Sequence, residues 1–215
     1  MKRLIDLSLP LRNGMRGVSV EPRSTIEQRG WNTTTLHLYS HAGTHVDAPV
    51  HFAVNDRGVS EIPLQHCMGP AWVADVTGVS PGEKLTVAHL GGTAAKVKSG
   101  ESLLLHSNWS RRIRRPEYYD ALPGVGRELA EWCAQRSLAM LGVETPAVAD
   151  PHDLEEISDI HTILLEAGIL IVEGLAHLDR LSRERVIFIA FPLSIEGGDG
   201  SPVRAVAVEE TEDPS

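Results

Sequence analysis

The chain has 215 residues, of which 42% are hydrophobic and 23% are charged, and its formal net charge is −9 at pH 7. A chain of this length can bury a sizeable core, and the composition is that of an ordinary globular protein. The negative charge argues against non-specific nucleic-acid binding, because contacts with phosphate groups need a basic surface.

Strands are predicted where residues alternate in polarity or are β-branched. Residues 4–9 predict an edge strand, residues 10–30 predict a long loop because Gly, Pro and Arg are frequent, and residues 33–39 predict a second strand. The second strand leads directly into a histidine-rich segment. Further strands are predicted over residues 71–76, 102–105, 138–141, 169–173, 186–190 and 203–208.

Two helices are predicted from apolar residues at helical spacing, over residues 126–136 and 153–168, with Gly168 as the C-terminal stop of the second. Strands come first, and strands then alternate with helices. This order is typical of an α/β fold in which helices pack outside a mixed sheet. We expect one domain over residues 1–208 and an acidic C-terminal tail over residues 209–215.

Export and membrane insertion are not predicted. The N-terminus is basic, but Asp6 and Pro10 interrupt any apolar run, so we expect no signal peptide. The most apolar stretch, residues 167–178, is too short to cross a bilayer. Cys67 and Cys133 form no CxxC motif, and we expect them to pack as small buried hydrophobes rather than to act as nucleophiles or ligands. We therefore expect a cytoplasmic protein.

The most informative segment is residues 41–51, which contains three histidines and an aspartate. Neutral imidazole and carboxylate groups are the ligands that borderline divalent metals such as zinc prefer. All four residues have odd numbers, so an extended segment would project them to one side. The four are His41, His45, Asp47 and His51. The segment therefore predicts a metal site with an open position for water.

Other interpretations of these histidines are weaker. His41 and His45 have the spacing of the helical metalloprotease motif, but no glutamate lies between them, and Gly43 and Pro49 disfavour a helix. A closed structural metal site usually uses thiolates, and neither cysteine adjoins the segment. The remaining histidines are not part of a comparable group of neighbouring histidines and carboxylates. We expect each of them to be structural: His37, His66, His89, His106, His152 and His177.

His161 and Glu173 form a second informative pair. His161 lies among the apolar positions of a predicted helix, and Glu173 ends an apolar run typical of an interior strand. An ionised glutamate there is costly unless a cation or hydrogen bonds compensate for burial. The alternative is that Glu173 emerges into solvent at the strand end. Because a metal-binding segment lies elsewhere in the chain, we favour a second ion.

Residues 41–51 resemble the HxGTHxDxPxH signature of the cyclase family, which includes bacterial kynurenine formamidases and isatin hydrolase. Three shorter segments support the resemblance. Residues 6–8 resemble the opening strand of the family, residues 142–146 resemble its GxDTP segment with Glu144 where Asp is usual, and residues 200–205 match its SPVRA segment. The resemblance extends over nearly the whole chain.

The resemblance implies an α/β fold of the swivelling-domain type, a single-domain mixed sheet or open barrel with outer helices, and a homodimer or homotetramer. It also implies roles for individual residues. The family's metal ligands fall on His41, His45, Asp47, His161 and Glu173. Asp47 is the ligand that two ions would share, and His51 matches the catalytic histidine.

The function implied by the resemblance is metal-dependent hydrolysis of a C–N bond in a small molecule, an amide, formamide or cyclic amide. Metal-activated water and a histidine acid–base would carry it out. Zinc suits an imidazole-rich site, and manganese is the alternative for a carboxylate-richer one. Two other interpretations stay open: an arylformamidase that acts on N-formylkynurenine itself, and a non-catalytic metal-dependent binding or regulatory domain.

The substrate-binding residues are harder to predict. Formamidases of the family that act on N-formylkynurenine tend to carry Trp-Pro-Gly in the N-terminal loop, whereas residues 13–17 read Asn-Gly-Met-Arg-Gly. Phe52, Ser107 and Trp109 are candidates for the pocket wall, with packing or loop capping as the alternative role. The basic run at residues 111–115 is either a solvated loop or a patch for an anionic ligand or partner.

Overall fold

A computed structural model describes residues 2–210, which contain thirteen strands and five α-helices. The strands are β1 (Lys2–Asp6), β2 (Val18–Ser24), β3 (Thr33–Leu38), β4 (His45–Asp47), β5 (Met68–Asp75), β6 (Lys84–Leu85), β7 (Ser102–His106), β8 (Gly124–Val125), β9 (Met140–Val143), β10 (Leu170–Glu173), β11 (Arg185–Ile189), β12 (Gly200–Pro202) and β13 (Val206–Glu210). The helices are α1 (Ile26–Arg29), α2 (Thr93–Lys96), α3 (Glu117–Asp120), α4 (Arg127–Gln135) and α5 (Leu154–Glu166). Short 3-10 turns lie at Pro49–Phe52, Val59–Glu61, Leu64–Cys67, Val87–Leu90, Trp109–Arg112 and Leu178–Arg180.

The main sheet has nine strands in the order β1-β13-β11-β5-β7-β9-β10-β4-β12. The central strands β5, β7, β9 and β10 are parallel, and the strands on both sides of them are antiparallel. The sheet curls strongly into a half-barrel. The pairs β2–β3 and β6–β8 form separate two-stranded sheets. The predicted α/β fold, a mixed or open-barrel sheet with outer helices, is therefore confirmed.

Both faces of the sheet pack against apolar residues. Successive side chains of a strand point to opposite faces, so each central strand contributes to two clusters. On β7, Leu103 and Leu105 pack in a cluster with residues of α4 and α5. Leu104, between them, belongs to a second cluster inside the curl. On β10, Ile171 points toward the helices and Val172 points into the curl. The helices α4 and α5 therefore cover one face, and the curled sheet encloses its own core on the other.

The segment between β1 and β3 contradicts its prediction. The long loop expected over residues 10–30 instead contains β2 and α1, and β2 pairs antiparallel with β3. Strand β2 is stabilised by its pairing with β3. The Gly, Pro and Arg residues of the segment give no indication of that pairing. Pro22 is tolerated because the pairing register shifts between Pro22 and Ser24.

The predicted C-terminal tail begins too early. Glu209 and Glu210 belong to β13, and Glu209 is buried. Its carboxylate accepts hydrogen bonds from the backbone N–H groups of Ser182 and Arg183. A buried carboxylate with such partners is part of the fold rather than of a frayed tail. Residues 211–215 lie outside the described residues.

Cys67 and Cys133 are buried and free, as the sequence predicts. Burial raises the pKa of the Cys67 thiol to about 11 and that of the Cys133 thiol to about 12. Neither thiol is therefore prepared to act as a nucleophile near neutral pH. Within residues 2–210, none of the helices combines the length and the apolar character that crossing a membrane requires.

Candidate metal centre and its cavity

The histidine-rich segment reaches the site through three conformations rather than one extended strand. His45 and Asp47 lie on β4, as predicted, but His41 precedes the strand in a turn and His51 follows it in a 3-10 turn. Gly43 has φ of +66°, a left-handed conformation that glycine adopts without strain. The expectation of a continuous extended segment is therefore correct only for β4, although all four side chains still converge.

His161 and Glu173 join the same group of side chains. Strand β10 is antiparallel to β4, and Glu173 lies directly opposite His45 in the pairing register. Helix α5 packs against the same face and contributes His161. Glu173 is buried in this position, so the alternative of a carboxylate emerging into solvent does not hold. The fold thus brings together residues that are more than one hundred positions apart.

Two carboxylates lie among three imidazole rings. Asp47 Oδ1 is 2.8 Å from His41 Nδ1 and 3.5 Å from His45 Nε2. The other oxygen of Asp47 is 3.6 Å from His161 Nε2. Glu173 is 3.2 Å from His45 Nε2 and 3.5 Å from His161 Nε2. Asp47 therefore faces all three rings, the position that a shared ligand requires.

Backbone carbonyls orient the two most buried rings. The Nδ1–H of His161 donates to the carbonyl of Ile157 at 2.7 Å, and the Nδ1–H of His45 donates to the carbonyl of Gly43 at 3.1 Å. A carbonyl oxygen only accepts, so the neutral ring keeps its lone pair on Nε2, which faces the carboxylates. Contacts of this kind fix the tautomer of metal-binding histidines.

The donor set fits a divalent ion. Among the residues that the structure describes, His45 Nε2 and Asp47 Oδ2 are buried without a hydrogen-bond partner. Groups of three ligand atoms also lie within 4.8 Å of one another. These groups are His41, His45 and Asp47; His41, His51 and Asp199; and Asp47, His51 and His161. Buried polar atoms without partners are costly, and a bound cation would satisfy them.

The same charges raise the pKa of the two buried histidines. Burial lowers the pKa of His45, but its close contact with the Glu173 carboxylate and the Asp47 and Glu173 charges outweigh burial and raise it to about 9. Burial likewise lowers the pKa of His161, and contacts with Asp47 and Glu173 raise it to about 10. Without a metal ion, protons on these rings compensate for the buried carboxylates.

We therefore expect the metal-free protein to lose stability as the pH rises from about 6.5 to about 10. A raised folded-state pKa contributes stability below the unfolded pKa, and this stability is lost as the pH passes the folded pKa. A bound ion takes over the role of the protons, so the zinc-loaded protein serves as the control. Thermal unfolding across this range measures the effect. Parallel pH profiles of Tm with and without zinc would contradict the expectation.

His51 lies at the edge of this cluster and is more open than the other rings. Its side chain is 26% exposed, against 2% for His45 and 3% for His161. Its ring centroid is 4.1 Å from that of His41. Burial, reinforced by the His41 and His161 charges, lowers the pKa of His51. The ring is therefore neutral near pH 7 and can accept a proton.

Asp199 belongs to the site, although no motif pointed to it. Its carboxylate is 3.3 Å from His41 Nε2 and 4.0 Å from His51 Nδ1, and its backbone carbonyl accepts a hydrogen bond from Ala48. Asp199 directly precedes β12, which pairs with β4. A Cβ at Gly200 would lie 2.6 Å from His41 Cε1, so this glycine leaves room for the ring. The adjacent SPVRA segment was the signal that could have identified Asp199.

A cavity of about 130 Å³ opens beside the cluster. His41, His51, His161 and Glu173 form one wall. Much of the remaining wall comes from the N-terminal loop, from aromatic residues and from Ile113; the first two groups are Met15, Arg16, Tyr39, Tyr118 and Tyr119. The N-terminal loop therefore reaches the site, as the resemblance implies, and tyrosines supply the aromatic surface in place of a tryptophan.

The three predicted pocket residues have different surroundings. Phe52 stacks on His161 with 4.2 Å between ring centroids and so supports a ring of the site. Trp109 is 2% exposed, and its indole N–H donates to a backbone carbonyl in a separate buried cluster. The backbone N–H of Ser107 donates to the Glu144 carboxylate. None of the three is among the residues that the structure places in the lining of the cavity.

Comparisons with known proteins cover most of the chain. The cyclase family profile matches residues 5–150. Kynurenine formamidases of Bacillus thuringiensis subsp. konkukian and Bacillus mycoides are 35% identical over 211 residues, which cover 94% of this chain and 95% of each relative. Isatin hydrolase A from Ralstonia solanacearum is 26% identical with a TM-score of 0.88, covering 97% of this chain and 92% of that one. Isatin hydrolase A from Labrenzia aggregata, bound to benzyl benzoate, is 26% identical with a TM-score of 0.86, covering 96% and 93%.

Proposed function

The chain belongs to the cyclase family, and from this premise we propose that it is a metal-dependent hydrolase of the C–N bond in an aryl formamide or a cyclic amide. Its relatives include kynurenine formamidases and isatin hydrolases. One observation carries the proposal: the Nε2 atoms of His45 and His161 face the carboxylates of Asp47 and Glu173 in a buried cluster beside a cavity.

We assign the ligands as follows. His41, His45 and Asp47 would hold a first ion, and His161 and Glu173, with Asp47 shared, would hold a second. When bound, such an ion lowers the pKa of water toward 7 and polarises a carbonyl group. Zinc suits the imidazole-rich first position, and manganese is the alternative where carboxylates dominate.

His51 would move the proton during hydrolysis. Its ring lines the cavity, and its lowered pKa keeps it neutral near pH 7. A neutral imidazole can accept a proton from the attacking water and deliver it to the leaving nitrogen. Asp199 contacts His41 and lies close to His51, so we assign it a positioning role for the two rings.

The cavity supports a small aryl substrate. Its volume of about 130 Å³ compares with the ~150 Å³ cavity that holds benzene in another protein. Tyr39 and Tyr119 provide aromatic surface against which an aryl ring can pack. A bulkier substrate would have to extend out of the cavity past the N-terminal loop.

Hydrolysis should depend on a divalent ion. Protein treated with a chelator is expected to lose activity toward formanilide and isatin, and one or two equivalents of zinc or manganese should restore it. Formate release and the absorbance change of ring opening measure the two reactions. Full activity after metal removal, verified by mass spectrometry, would contradict the proposal. A metal-loaded protein that hydrolyses neither these two compounds nor N-formylkynurenine would support the alternative of a binding or regulatory domain.

A further inference from the structure

A basic hollow of about 560 Å³ lies beside the cavity. The charged residues that line it are Arg12, Arg16, Arg114 and Arg115. Among residues 2–210, no carboxylate lines this hollow. The hollow and the cavity share four wall residues: Met15, Arg16, Ile113 and Tyr119. A ligand that occupies the cavity can therefore extend directly into the hollow.

The arginines of the basic run at residues 111–115 have two kinds of surroundings. Arg111 pairs with Asp179 at 2.9 Å, and Arg112 lies over the ring of Trp109 at 4.6 Å. Neither of these two arginines lines the hollow. The two arginines at positions 114 and 115 face the hollow instead.

The arginines of the hollow are not neutralised. Within residues 2–210, the ion pairs between arginine and carboxylate groups involve Arg3, Arg111, Arg127, Arg185 and Arg204. None of these residues lines the hollow. Because the whole chain carries a net charge of −9, this cluster is a local positive region in an acidic protein. Such a region attracts anions and raises their local concentration.

Arg16 lies between the cavity and the hollow. Its guanidinium lies over the ring of Tyr119, 5.6 Å from the ring centroid. A stacked guanidinium keeps its N–H donors available at the edge of its plane, where they match the two oxygens of a carboxylate.

The loop that carries Arg114 and Arg115 is held at its start by Glu144. Glu144 accepts hydrogen bonds from the backbone N–H groups of Ser107 and Asn108 and from the hydroxyl of Ser110. These bonds hold the start of the loop that leads to the arginines at positions 114 and 115. Hydrogen bonds to Glu144 therefore restrain the loop of Arg114 and Arg115, and stacking on Tyr119 restrains Arg16.

Building on the proposed function, we propose that the substrate is an N-acyl arylamine that carries a carboxylate, and that Arg16 and the arginines at positions 114 and 115 bind this carboxylate. The amide would lie in the cavity beside His51, and the carboxylate would face Arg16 where the cavity meets the hollow. Because the charged residues that the structure places around the hollow are all arginines, an ammonium group there would be repelled. We therefore expect a simple aryl acid to be preferred over a zwitterionic amino acid.

The test compares 2-formamidobenzoate with formanilide, which has the same ring and formamide but no carboxylate. With zinc-loaded protein, kcat/KM should be higher for 2-formamidobenzoate. In Arg16→Gln, the ratio of the two kcat/KM values should fall by about ten- to one-hundredfold, the range for a lost charge-assisted hydrogen bond. The double variant Arg114→Gln/Arg115→Gln should lower the ratio as well, and N-formylkynurenine should be the poorer substrate of the two acids.

Arg111→Gln is the matched control, because Arg111 belongs to the same basic run but pairs with Asp179. Its substrate ratio should equal that of the unchanged protein. A ratio that is the same in Arg16→Gln, in the double variant and in the unchanged protein would overturn the proposal. So would an unchanged protein that prefers formanilide.

A binding measurement separates this proposal from the proposed function. Calorimetric titration of 2-formamidobenzoate and formanilide into the zinc-loaded protein requires no turnover. Tighter binding of the acid, lost in Arg16→Gln and kept in Arg111→Gln, would support the anion subsite even if neither compound is hydrolysed. Turnover of both compounds with equal affinity would leave the hydrolase proposal standing and reject the subsite.

Discussion

Replacing Asp47 with asparagine is expected to abolish metal binding and to reduce hydrolysis by about 10³-fold or more, since a catalytic ion supplies several kcal/mol of transition-state stabilisation. Asp47 is fully buried, and its two oxygens face His41, His45 and His161. Asparagine has nearly the same shape but no charge, and one of its two terminal atoms is a donor. The substitution therefore removes the charge that compensates for a buried cation while it preserves the packing.

Metal content by mass spectrometry and kcat/KM for formanilide measure the two effects. Asp75→Asn provides a matched control, because Asp75 lies at the end of β5 and accepts a local hydrogen bond from the backbone N–H of Thr77. The control should keep full metal content and activity. An Asp47→Asn protein that holds as much zinc as the unchanged protein would show that Asp47 is not a ligand.

Much of the site could be predicted because its parts are local in sequence. Helical spacing identifies α5 and places His161 on its buried face, and the apolar run that ends at Glu173 identifies β10. Each of these patterns arises from one periodic element facing one core. Which elements then meet depends on the sheet order, and the family resemblance implied only which side chains share the metal site. The pairing of β10 with β4 brings Glu173 beside His45.

The substrate side of the site could not be predicted in the same way. The wall of the cavity combines Arg16 from the N-terminal loop, Tyr39 from the end of the β2–β3 ribbon and Tyr119 from α3. Loops have no periodicity that relates one to another, and their approach depends on the curl of the sheet. Strand β3 of the ribbon was predicted, but β2 was not, because its local sequence resembles a loop. Asp199 lies in a similar connection, just before β12.

His51 has the most solvent-exposed ring of the metal centre. His51→Ala is expected to keep its metal, because His41, His45, Asp47, His161 and Glu173 all remain, but to lose about 10²- to 10⁴-fold in kcat, the usual contribution of general acid–base catalysis. Exogenous imidazole should restore part of the rate, since the vacated space adjoins the cavity.

Metal content decides between the two roles that the geometry allows for His51. Its ring nitrogen belongs to two of the groups whose ligand atoms lie within 4.8 Å of one another, so it is also close enough to act as a ligand. If His51→Ala loses zinc along with activity, His51 is a ligand rather than a proton carrier. If zinc stays and the rate is unchanged, His51 has neither role. His37→Ala is the control, because His37 is exposed and lies on the outer ribbon, where we expect no effect on zinc or rate. Zinc retained together with a lost, imidazole-rescued rate is the one combination that assigns proton transfer to His51.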